Sequence, residues 1–214
     1  LESRKILKSL RYNNWLKKNK ISKNWINKQI RDTYVRQSKV DGYRARSAYK
    51  LIEIDEKFII FKGGMSVIDI GAAPGSWSQY ASKKIKNGKI ISVDLKEMEK
   101  IKNTIQIKGD FTDKKIQELI KSYFEKKPDI IMSDMAVNTT GIKNIDAIQT
   151  GELCMEALIF TKKIISKNGS FISKIFMGST FNEIVALSKK IFKEVRVFKP
   201  KSSRKDSKES FIIC

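Results

Sequence analysis

The chain has 214 residues, 41% hydrophobic and 31% charged, with 44 Lys and Arg against 23 Asp and Glu, a formal net charge of +21. That composition suits one sizeable α/β core, and no apolar run reaches the length of about 18 residues that a membrane crossing needs. His is absent, which excludes Ser–His and Cys–His nucleophile pairs, His-ligated zinc and His acid–base work.

The charge is uneven. Residues 1–50 hold 15 basic and 3 acidic residues, so 12 of the 21 excess positive charges lie there. A basic arm on a moderately basic body points to a polyanionic partner, and Arg-bearing clusters such as "YRARSAYK" go beyond the Lys enrichment of a biased genome. Residues 12–37 read as a cationic helix with Trp15, Trp25, Ile26 and Ile30 as apolar anchors. The expected organisation is a basic arm at 1–39 followed by one catalytic domain at 40–214. The first residue is Leu1, which suggests a trimmed or processed start with any targeting segment outside it.

A short helix is expected from about Ser47, and "KGG" (62–64) breaks the chain before the first strand. Strands are then expected at 66–70, 89–94, 104–109, 129–133, 169–175, 194–199 and 209–213, and helices at 76–86, 113–126, 145–166 and 180–192. Alternating strands and helices give βαβ crossovers and a mostly parallel sheet with helices on both faces. The last two strands are joined by "PKSSRKDSK", too short for a parallel crossover of about a dozen residues, so the final strand is expected antiparallel. Cys154 lies in an apolar helical run and reads as core. With Cys214 it makes neither a metal spacing nor a disulfide framework, in keeping with a reducing compartment.

The stretch "VIDIGAAPGSWSQYA" (67–81) is a strand, a glycine-bearing turn and a helix. Ligands of open α/β sheets sit outside the carboxyl ends of the strands. Against the dinucleotide pattern G-x-G-x-x-G, Ala73 and Ser76 replace the second and third glycines, and Pro74 removes one N–H. The turn therefore serves a pyrophosphate poorly and a nucleoside better. Asp94, ending the second strand, can grip ribose hydroxyls. Asp110, after the third, is placed to accept from an adenine amino group. Both can also be strand-end caps, and Asp69 can be a structural acid. These features suit S-adenosylmethionine.

The ordered set "GYRARSAYKL", "VIDIGAAPGSWSQYA", "VDL", "GDF", "SDMA", "GSFISKIF" and "KPKSSRKDSKES" resembles the FtsJ/RrmJ-type ribosomal RNA 2′-O-ribose methyltransferases, from about Ser22 to Cys214. The resemblance implies a Rossmann-like, S-adenosylmethionine-dependent fold of seven strands, mostly parallel, with an antiparallel last strand. It implies methyl transfer to a ribose 2′-hydroxyl, and "SDMA" resembles the branch acting on a large-subunit rRNA uridine. The family's Lys–Asp–Lys–Glu catalytic set falls on Lys50, Asp134, Lys174 and Glu209. Cofactor contacts fall on Gly75, Ser76, Trp77, Asp94, Asp110 and Asp134. By residue pattern alone Lys174, in "FISKIF", could be a surface lysine of an alternating strand.

RNA contacts are expected from Arg44, Arg46, Arg204, Lys205 and the arm. The chain departs from the family at Ser76, where glycine is common, and at Val137, where proline is usual and whose loop is expected to be less rigid. The expected partner is ribosomal RNA or the large ribosomal subunit, with no metal, no membrane and a monomeric state. The compartment is intracellular, either organellar or cytoplasmic. Alternatives are a tRNA or mRNA-cap methyltransferase and a nonenzymatic RNA-binding assembly factor. An NAD-dependent oxidoreductase is disfavoured by Ala73 and Ser76.

Overall fold

A computed structural model describes residue 27, residues 29–136 and residues 143–214. The chain divides after Gly42 into two compact units. In the first, helix α1 spans Thr33–Val40, and the Asp32 side chain caps it by accepting from the Tyr34 N–H at 3.1 Å. The expected anchors Trp15, Trp25 and Ile26 lie outside the described residues; Ile30 is exposed.

The second unit opens with α2 (Ala48–Phe58), then β1 (Ser66–Ile70), α3 (Ser76–Lys84), β2 (Lys89–Asp94), β3 (Thr104–Lys108), α4 (Lys114–Ser122) and β4 (Ile130–Ser133). It continues with α5 (Lys143–Ile164), β5 (Ser170–Phe176), α6 (Phe181–Ile191), β6 (Arg196–Phe198) and β7 (Glu209–Ile213). The sheet order is β3-β2-β1-β4-β5-β7-β6. Strands β1 to β5 pair in parallel, and β7 runs antiparallel to both β5 and β6. The fold is the expected Rossmann-like one. Among the strands, the largest difference from expectation is β6, three residues rather than six. It is an edge strand with one neighbour, and Val197 on it is 43% exposed.

Strand alternation sorts the apolar side chains onto two faces. Val67, Ile90, Met132, Ile172 and Phe211 face α2 and α3, where Leu51, Ile54, Trp77, Tyr80 and Ala81 cover them. Ile68, Ile70, Ile91, Ile131, Phe171 and Ile175 face α4, α5 and α6. Both helical layers are needed because the central strands are buried on both faces. The chain order reverses between β1 and β4, so the loops after these strands part there and leave a crevice.

Candidate active site

The same alternation that puts Met132, Ile172 and Phe211 under α2 puts Asp134, Lys174 and Glu209 on that face, at the carboxyl edge of the parallel strands. Ser133 pairs with Ser173, so the residues after them, Asp134 and Lys174, come side by side. Lys174 Nζ donates to the Asp134 main-chain oxygen at 2.6 Å and to Oδ1 at 2.9 Å. Lys50, on the inner face of α2, donates to Glu209 Oε2 at 2.7 Å and lies 5.7 Å over the Phe211 ring. Ser203 Oγ donates to the other Glu209 oxygen at 2.8 Å.

The four side chains therefore form two ion pairs, with Lys174 7% exposed and both Lys50 and Glu209 11% exposed. Burial works to lower the Lys50 ammonium, but the Asp134 and Glu209 carboxylates outweigh it and raise Lys50 above its ordinary value. Burial works to raise the Asp134 carboxyl, and the Lys174 and Lys50 ammonium groups outweigh it, holding Asp134 below its ordinary value. Lys50 and Asp134 thus keep their charges at neutral pH.

The turn after β1 lies beside this set. Gly71 and Gly75 have φ of 73° and 104°, a region that favours glycine. A Cβ on Gly71 would overlap Met135, and one on Gly75 would come within 2.6 Å of Ile101 and 2.9 Å of Arg44. The Ala73–Pro74 bond is cis. Asp94 pins the turn: Oδ2 accepts from the Ala73 N–H at 2.9 Å, and Oδ1 from the Lys96 N–H at 2.8 Å. Each carboxylate oxygen keeps a second lone pair for a ligand hydroxyl. Asp110 Oδ1 accepts from the main-chain N–H and the hydroxyl of Thr112, while the cap of α4 is Asp113.

Asp69 is fully buried behind the turn. Its Oδ2 accepts from Ser78 Oγ at 2.6 Å, and its Oδ1 has no hydrogen-bond partner among the described residues. Burial pushes its carboxyl up to about 7.

Three expected site residues have other surroundings. Trp77, expected beside the cofactor, puts its indole in the core: it is 2% exposed, 5.8 Å from the Phe211 ring, and its Nε1 donates to the Ser47 carbonyl. Arg44, expected at the RNA surface, turns inward. Its guanidinium donates to the carbonyls of Pro74 at 3.0 Å, Glu99 at 2.8 Å and Lys100 at 3.1 Å. It ties the glycine turn to the loop after β2. Arg46 donates to the Ser202 carbonyl. Lys205 is exposed and Arg204 half-buried. Val137 lies outside the described residues.

Two residues escaped the sequence reading. Glu53 accepts from the Lys201 and Ser202 N–H groups and holds the loop that presents Ser203 to Glu209. Ser47 bonds the Ser76 hydroxyl at 2.7 Å. Glu53 stands one helical turn after Lys50, the one local sign available for it.

An FtsJ-like methyltransferase family model matches residues 43–214. The chain is 73% identical over 199 residues to the ribosomal RNA large subunit methyltransferase E of Pelagibacter ubique, covering 93% of this chain and 98% of that one. It is 47% identical to the protein of the same name from Rickettsia bellii, over 90% and 88% of the two chains. A crystal structure from Plasmodium falciparum, described as a ribosomal RNA methyltransferase, superposes with a TM-score of 0.72 at 35% identity, over 80% of this chain and 97% of that one.

Proposed function

The chain belongs to the FtsJ-like methyltransferase family, and on that premise we propose that it methylates a ribose 2′-hydroxyl of large-subunit ribosomal RNA, at a uridine, with S-adenosylmethionine as donor. The observation that carries the reading is the Lys174–Asp134 pair, 2.9 Å apart beside a glycine turn at the sheet's switch point. The substrate class is supported by relatives named for methylation of large-subunit ribosomal RNA.

The residues present fit that donor. Asp94, Asp110 and Asp134 stand at the carboxyl ends of β2, β3 and β4, and the turn 71–75 carries no Lys or Arg. An acidic rim suits a ligand that carries positive charge and no phosphate. Asp94 would hold the ribose hydroxyls, Asp110 the adenine amino group, and Gly75 and Ser76 would border it with their main chain. When bound, S-adenosylmethionine supplies a methyl group made electrophilic by its sulfonium.

The remaining work belongs to this chain's own side chains. Lys174, once its ammonium has released one proton to solvent, holds the 2′-hydroxyl by the Nζ lone pair and takes the proton from its oxygen. Asp134 fixes the direction of that amine through two contacts from one residue. Lys50 stays an ammonium and Glu209 anchors it, so the pair sets charge and shape and moves no proton. Such positioning can supply up to about 7–11 kcal/mol of the barrier, and a matched base adds to it. Arg204, Lys205 and the basic arm 1–39 would contact RNA phosphates, giving affinity that weakens with salt and carries no base choice.

The test offers large-subunit particles, tRNA and capped transcripts side by side with tritiated S-adenosylmethionine, followed by ribose-methylation mapping. The reading expects label in large-subunit rRNA at one ribose. Label confined to tRNA or cap, or found on a base, contradicts it.

A further inference from the structure

At the end of β5, two residues beyond Lys174, lies a cavity of about 480 Å³ to which the proposed reaction assigns no part. Its walls are Ala147 and Ile148 at the start of α5, Phe176 and Met177 at the end of β5, and Ser207 and Lys208 just before β7. Phe176 follows Lys174 by two residues on the same strand face, a spacing of about 7 Å. Across the sheet it pairs with Glu209. The cavity and the ion pairs therefore share one strand end.

The cavity is built on fixed backbone. Met177 N–H donates to the Lys208 carbonyl at 3.1 Å, Glu209 N–H to Ser207 Oγ at 3.1 Å, and Lys199 Nζ to the Ser207 carbonyl at 2.5 Å. Its apolar side chains are open to solvent: Ile148 is 40% and Met177 45% exposed. Large apolar groups beside a site on so charged a chain mark a binding surface more often than a lapse in packing.

We infer that this cavity receives the unpaired nucleobase of the nucleotide whose ribose is methylated. The inference rests on the proposed function and deepens it. A nucleobase hangs from the sugar carbon next to the one bearing the 2′-hydroxyl. A ribose held at Lys174 therefore carries its base a short step away, the step that separates Lys174 from Phe176. Single-stranded RNA is read by splaying bases onto aromatic faces and bonding their edges. Phe176 offers the face and Met177 a polarizable wall. Ser207 and Lys208 stand at the polar edge. Asp146 and Asp206 also line the cavity beside Lys208, and the aromatic and apolar walls suit a flat group.

The experiment uses a large-subunit rRNA fragment carrying the mapped methylation site, made with the natural base and again abasic at that nucleotide. The wild type is expected to methylate the abasic RNA about tenfold more slowly or worse. Phe176→Ala is expected to lose a comparable factor on natural RNA and little more on abasic RNA, because base and side chain act as one unit. Ala147→Phe, which fills the cavity, is expected to behave likewise. Calorimetry with S-adenosylmethionine should give both variants wild-type affinity, showing that they fold. A wild type equally fast on both RNAs, or a Phe176→Ala loss of the same size on both, overturns the inference and leaves the reaction standing. A wild type that methylates no ribosomal RNA overturns the functional reading, and the inference with it.

Discussion

Lys174 Nζ meets Asp134 twice, at 2.6 Å on the main-chain oxygen and 2.9 Å on Oδ1, because Ser173 and Ser133 are paired in the parallel register one residue earlier. The sheet, not a loop, sets the distance. A site on paired strand ends is held to the tolerance of the ladder, which is what proton transfer to a positioned amine needs.

The second ion pair should behave as a unit. Lys50 and Glu209 are 2.7 Å apart and each 11% exposed. Lys50→Met and Glu209→Gln are each expected to lower the rate about tenfold or more, and the double variant little further. A double-mutant cycle on methyl transfer checks this; additive losses contradict it.

Asp69 predicts an unusual pH dependence of stability. Its carboxyl is raised to about 7 from an ordinary 3.8, so between those values the folded state holds a proton that the unfolded state has released. Stability from this group therefore falls as pH rises from about 4 to 7, by an amount on the order of a few kcal/mol, and is level above. Asp134 acts oppositely, but its lowered carboxyl loses stabilising charge only below about 3.8, and the raised Lys50 only under strong alkali. Urea melts of wild type and Asp69→Asn at pH 5 and 8 should show the variant gaining relative stability at pH 8. An unchanged difference contradicts the assignment.

Arg44 should act on cofactor affinity. Its guanidinium holds Pro74, Glu99 and Lys100 by their carbonyls. Arg44→Ala is expected to raise KM for S-adenosylmethionine about tenfold with a smaller change in kcat. Arg44→Lys should rescue poorly, because a point charge cannot span three acceptors. A loss confined to RNA affinity would contradict this placement.

Much of the sheet was legible in local pattern. Runs such as "SVIDI", "KIISVD" and "ESFII" have the apolar content and turn boundaries of buried strands, and the short link before β7 fixed its direction. The edge strand β6 was overcalled in length because an apolar alternation does not reveal that one side lacks a partner. The identities of Lys50, Asp134, Lys174 and Glu209 came from resemblance, since a lysine in "FISKIF" has no local mark of burial. The inward turn of Arg44 was not legible: its acceptors lie 30, 55 and 56 residues away and are main-chain oxygens, which every residue carries. Trp77 was placed at the cofactor by the family resemblance. The core took its indole because α3 presents that side to Phe211.

The central claim is that Lys174 takes the proton from the 2′-hydroxyl. The most direct measurement is single-turnover methyl transfer by Lys174→Ala, with labelled S-adenosylmethionine and large-subunit particles, beside calorimetric binding of the same cofactor. The account predicts transfer reduced by about a hundredfold or more, with cofactor affinity near that of the wild type. Transfer at the wild-type rate would contradict it.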